Sequence, residues 1–95
     1  MPTYLSQIDV NEDEYQNPQE LVAVWGTIRA EIEDLGGEIS ATYAVLGAYD
    51  FHIAFEVSDG TTAFQVTQAI ERHGLDTTTM RALPLEQLGT LVDDR

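Results

Sequence analysis

The chain has no cysteine, which excludes disulfides, thiolate metal sites and cysteine nucleophiles. It has no lysine either. Four arginines are its only strong cations, set against 17 acidic residues, for a formal net charge of −13. A surface so poor in cations is repelled by phosphate backbones and by anionic lipid, so neither nucleic acid nor membrane is expected as a partner. No apolar run approaches the ~18 residues of a membrane helix. The opening Met1-Pro2-Thr3-Tyr4-Leu5 lacks the basic and apolar blocks of a secretory leader. A soluble, cytoplasmic protein is the expectation. Neither Gly36-Gly37 nor Gly47 opens a phosphate loop, which needs a glycine-rich stretch entering a helix. His52 and His73 sit on separate segments and fall short of the ligand set a metal requires. No metal and no cofactor is therefore expected.

What the chain has in abundance is negative charge, spread along its length and not gathered in a tail. In dilute buffer such a surface repels itself and destabilises the compact state. At molar salt the Debye length falls to roughly 3 Å and that repulsion is screened. Salt adaptation is the expectation. Ninety-five residues suit one domain, 1–95, which buries roughly 60–65% of the surface its unfolded chain exposes. A core of that size gains from oligomerisation.

Hydrophobic periodicity divides the chain into seven elements. Thr3 to Val10 reads as a strand ending in the acidic turn Asn11-Glu12-Asp13-Glu14. Asn17-Pro18 starts a helix whose stripe is Leu21, Val24, Trp25, Ile28, Ile32 and Leu35, spaced three or four apart, and Gly36-Gly37 stops it. Two strands follow, Glu38 to Leu46 and Phe51 to Val57, with Gly47-Ala48 as a two-residue hairpin turn between them. Ser58-Asp59-Gly60 leads into a second helix, Thr61 to His73, ended by Gly74. Thr77 to Leu83 is a fourth strand. Pro84 opens a short last helix carrying Leu85, Leu88, Leu91 and Val92, before a frayed Asp93-Asp94-Arg95 tail. The order βαββαβ predicts an α+β, ferredoxin-like split β-α-β domain with two helices on one face of a four-stranded antiparallel sheet.

The hairpin turn fixes the faces. It pairs Ala44 with Phe51 and Thr42 with Ile53, which puts the bulky Phe51, Ile53, Phe55 and Val57 beneath the helices. The open face then carries Val45 beside Asp50, Tyr43 beside His52, Ala41 beside Ala54 and Ile39 beside Glu56. That mixture is too apolar to be left to water, and a second copy stacked on it would cover it.

Several segments carry a family resemblance: Met1-Pro2-Thr3-Tyr4, Leu35-Gly36-Gly37-Glu38, Tyr43 to Asp50, Thr79-Met80-Arg81-Ala82-Leu83 and Pro84-Leu85-Glu86-Gln87-Leu88. In this order the chain resembles the GYD-domain family, named for the Gly-x-Tyr-Asp element present as Gly47, Tyr49 and Asp50. The resemblance covers nearly the whole chain and implies a dimeric α/β-barrel protein. It implies no reaction. The chain departs from the family in its lack of lysine and its acidic loop Asn11 to Glu14.

Five residues are candidates for ligand binding or for an interface: Tyr43, Tyr49, Asp50, His52 and Arg81. Tyr49 and Asp50 could hold a small polar ligand, and equally suit a turn in which Asp accepts backbone N–H groups. His52 is a candidate general base that Tyr43, its cross-strand neighbour, could orient, or a sheet-face histidine hydrogen-bonded in an interface. Arg81 could bind a carboxylate in bidentate fashion or pair with one of the many acids. Whether it joins the other four depends on the parity of its strand. His73, at a helix end, is read as structural. No residue is assigned a catalytic role. Two function classes follow: a non-catalytic or ligand-sensing homo-oligomer, and a cofactor-free small-molecule enzyme of the isomerase or monooxygenase type, the latter by analogy of fold alone.

Overall fold

The computed structural model describes residues 2–10, 18–45 and 50–93. Strand β1 (Thr3–Val10) is followed by helix α1 (Pro18–Asp34), strands β2 (Glu38–Ala44) and β3 (Phe51–Glu56), helix α2 (Gly60–Glu71), strand β4 (Leu75–Ala82) and helix α3 (Leu85–Asp93). The strands form one antiparallel sheet in the order β2-β3-β1-β4, the split β-α-β arrangement. Helices α1 and α2 lie on one face. The Gly47-Ala48 turn and Tyr49 fall outside the described residues.

The core forms where the helices meet β3. Phe51, Ile53, Phe55 and Val57 are all buried, as their alternation predicts. Ile28 and Ile32 of α1 and Ala63, Val66, Ala69 and Ile70 of α2 close over them. Trp25 meets Phe51 edge-on at 5.9 Å between ring centroids, and Tyr4 stacks on Phe55 at 5.7 Å.

The helix ends explain the glycines. After α1 the N–H of Gly37 donates to Ile32 O at 2.9 Å and that of Gly36 to Glu33 O at 3.0 Å, the paired bonds of a Schellman cap. Gly36 takes φ +88°, which an L side chain rarely adopts. Gly37 is needed for a different reason: a Cβ there would stand 2.8 Å from Ile32 Cγ2 and 3.1 Å from Ile32 O. Asp59 caps α2, its Oδ1 accepting the Thr62 N–H at 2.8 Å and the Thr62 hydroxyl at 2.9 Å. Those bonds, the backbone one foremost, hold the Asp59 carboxyl below its ordinary range.

Three sequence expectations need correction. Helix α2 starts one residue early, at Gly60, because Asp59 is the cap. Strand β4 begins at Leu75 and not Thr77, since Leu75 pairs with Val10 and is buried as soon as Gly74 has turned the chain. Ile39 does not share a face with Glu56. A bulge between Ile39 and Ala41 pairs Ile39 with Phe55 and Glu38 with Glu56, so Ile39 packs against the core. Ser40 is the extra residue, and its hydroxyl donates to Ala54 O at 3.2 Å.

Candidate functional site

The open sheet face is banded across its strands. One cross-strand row is apolar: Ala41, Ala54, Leu5 and Met80. The next is polar and reads Tyr43, His52, Gln7 and Thr78. Carboxylates occupy the strand ends, with Glu38 opposite Glu56 and Asp9 opposite Asp76. Tyr43 is 65% exposed and Met80 39%, a large apolar presence for a face turned to water.

Of the candidate residues that are described, Tyr43 and His52 lie together and Arg81 lies apart from them. Tyr43 and His52 are cross-strand partners on the open face, as the hairpin pairing requires. Arg81 pairs with Tyr4, which stacks on Phe55, and so belongs to the helix-covered face. The strand parity left open by the sequence thus separates Arg81 from Tyr43 and His52. Asp50 accepts the Val10 N–H through Oδ2 at 2.7 Å, a bond that ties β3 to the end of β1. It also borders a depression of about 160 Å³ lined by Leu21, Trp25 and Phe51. Tyr49 lies outside the described residues. His73 joins the two helices, its Nε2 standing 3.0 Å from Glu31 Oε1. Among the described residues no group of three or more His, Asp or Glu side chains is placed to hold a metal ion.

Arg81 leads instead to a second location. A cleft of about 260 Å³ opens between the first turns of α2 and strands β1 and β4, lined by Tyr4, Gly60, Ala63, Phe64, Thr67 and Thr79. Its apolar walls are the Tyr4 ring, Ala63 and Phe64, the last 75% exposed at the mouth. Its floor is a chain of hydroxyls. Thr67 Oγ1 lies 2.9 Å from Thr79 Oγ1 and donates within 3.1 Å of Ala63 O, and Thr79 Oγ1 lies 2.7 Å from Ser6 Oγ. Ser6 is fully buried, so the chain is anchored in the core. Hydroxyl protons rotate to suit their partners, so this floor can meet a ligand as donor or as acceptor. The next hydroxyl along the strand, Thr77 Oγ1, is buried with no hydrogen-bond partner among the described residues. The Arg81 guanidinium sits over the ring of the cleft-lining Tyr4, 5.8 Å from its centroid. No local pattern points to Tyr4, Ser6 and Thr67 in this role. The one available signal is the run Thr77-Thr78-Thr79, ending two residues before Arg81 on the same strand.

The family model described as the GYD domain matches residues 4–92. The chain belongs to the GYD-domain family. No curated protein matches this GYD domain in sequence. Among solved structures it is similar to a feast or famine regulatory protein from M. tuberculosis complexed with L-methionine, at TM-score 0.62 and 15% identity over 88% of this chain and 51% of that one. It is also similar to the Mycobacterium tuberculosis leucine response regulatory protein, at 0.61 and 15% over 87% and 51%. The GYD domain therefore spans about half the length of these two chains. A de novo designed protein matches at 0.51 and 14%, with 84% of each chain covered. At such identities the likeness is one of fold. The Gly-x-Tyr-Asp element of the family is described here only at Asp50, whose carboxylate is committed to Val10 N.

Proposed function

We propose that this GYD domain is a non-catalytic, salt-adapted binding module for a small organic ligand, working as a homo-oligomer. The cleft between α2 and β1/β4 carries the reading. It joins apolar walls to a few convergent polar groups, the composition of small-molecule sites. Its volume of about 260 Å³ leaves room for roughly nine water-sized atoms, at ~30 Å³ each. Among the described residues the lining offers hydroxyls and no carboxylate or imidazole, a set suited to holding a ligand more than to moving its protons. Two solved structures of similar fold bear the names of regulatory proteins, and one of them is complexed with L-methionine, which fits a binding role. The banded open face supports assembly: an apolar row inside charged ends has the layout of an interface core and rim.

The test is a screen of metabolites by thermal shift in molar KCl, followed by nuclear magnetic resonance of Thr67 and Thr79 for each compound that raises the Tm. Ligands should perturb those two residues first. Filling the cleft with Gly60→Val, which places a branched side chain against the Tyr4 hydroxyl 3.8 Å from a Cβ at that position, should abolish the shifts. Stabilising compounds that act equally on the variant would overturn the reading.

A further inference from the structure

We infer that the ligand of the α2–β1–β4 cleft is a small carboxylate with an apolar body, and that Arg81 captures its carboxylate. The inference rests on the cleft being a binding site and adds the chemical class. It starts from charge. In a chain of net charge −13, each arginine has acids in abundance to pair with. Arg29 pairs with Glu33 at 3.4 Å, and Arg72 lies 3.7 Å from Glu31. Arg81 lies within ion-pair reach of no carboxylate among the described residues. Its contacts are the Tyr4 ring and two carbonyls, Ala82 O at 2.8 Å and Thr3 O at 3.4 Å, both met by Nη1. These contacts orient the guanidinium, and among the described residues they leave Nη2 and Nε without a hydrogen bond.

The position suits capture. Arg81 and the cleft-lining Thr79 are two apart on β4 and share a face, so their Cα atoms are about 6.6 Å apart along the strand. Tyr4 lies opposite Arg81 and forms both the platform beneath the guanidinium and a wall of the cleft. A carboxylate at the rim would take two parallel N–H bonds, while its carbon skeleton lies along Tyr4, Ala63 and Phe64 and any hydroxyl or amine reaches the Thr67–Thr79 floor. The N-terminus of α2 borders the cleft at Gly60 but adds little positive field, because the Asp59 carboxylate already caps it. The anion therefore depends on Arg81. Bidentate geometry also answers the competition that molar chloride would present, since a spherical ion cannot use the planar fork.

The experiment compares phenylacetate with its neutral amide, phenylacetamide, by titration in molar KCl, reading the Thr67 and Thr79 signals. Phenylacetate should bind about tenfold more tightly than the amide. In Arg81→Met the preference should vanish, with the amide's affinity unchanged. Arg81→Lys should keep part of it, since a point charge attracts without the fork. Equal binding of both compounds, with Arg81→Met behaving as wild type, would overturn the carboxylate class and leave the binding module standing. If phenylacetate leaves Thr67 and Thr79 undisturbed while neutral compounds from the metabolite screen shift them, the class is again wrong. If nothing shifts them, both readings fail together.

Discussion

At the scale of single residues, two positions make sharp demands. A methyl group at residue 37 would stand 2.8 Å from Ile32 Cγ2, and Ile32 is itself fully buried. Gly37→Ala should therefore cost about 1–3 kcal/mol, the range of overpacked cores, read as a lowered urea midpoint with an unchanged slope. Gly36→Ala meets no neighbour, and its cost comes from φ +88° alone, about 1 kcal/mol. Reversal of that order would mean that Ile32 yields to the methyl group. Asp59 makes the second demand. Its folded-state carboxyl titrates below the ordinary value near 3.8, because it accepts the Thr62 N–H and hydroxyl. A depressed carboxyl contributes stability that is fully present above the unfolded value and lost as pH falls through the folded one. Asp59→Ala should thus melt lower than wild type at neutral pH, and the gap should narrow below about pH 4. A gap that stays constant down to pH 2 would show that the charged form of Asp59 contributes nothing beyond its shape.

At the scale of elements, most boundaries were legible because periodicity and turn chemistry agree. The α1 stripe, the Gly36-Gly37 stop and the alternation of Phe51 to Val57 each state one face and one end. Ile39 was not legible, since a bulge at Ser40 shifts parity by one and nothing in Glu38-Ile39-Ser40-Ala41 announces it. The face of Arg81 stayed open for the same reason at longer range. Its face is set by the β1–β4 pairing across more than seventy residues, which no local pattern encodes. The cleft escaped for that reason too, because Ser6, Thr67 and Thr79 come from three elements. The strand pairs carry a further consequence of charge. Asp9 faces Asp76 and Glu38 faces Glu56 directly, and like charges so placed destabilise a sheet by roughly 0.2–1 kcal/mol per pair. Asp76→Asn and Glu38→Gln should each raise the Tm at low salt and lose that advantage in molar KCl, where the Debye length is about 3 Å. Equal gains at both salt concentrations would remove these pairs from the proposed salt adaptation.

At the scale of the molecule, the sheet presents two unlike faces, and only one is covered by helices. A face of four strands about 4.8 Å apart and about 20–25 Å long offers several hundred square ångströms, near the lower bound of a stable interface when two copies stack. The apolar row Ala41–Ala54–Leu5–Met80 would lie at the centre of such a stack, where charge is normally depleted. The acidic strand ends would lie at its rim, bringing carboxylates of two chains together. Association by this face should therefore be weak in dilute buffer and tighten with KCl, as screening removes the rim repulsion while the apolar row is unaffected. Light scattering should report a mass approaching twice that of one chain in molar KCl and a smaller one at low salt. Leu5→Glu sets a carboxylate in the middle of the apolar row, where the stacked state would bury it unpaired. That variant should remain monomeric at every salt concentration, while ligand-induced shifts at Thr67 and Thr79 survive, since the cleft lies on the opposite face. A Leu5→Glu chain that still doubles its mass in molar KCl would place the interface elsewhere, with the exposed Leu85, Leu88 and Leu91 of α3 as the next apolar surface to test.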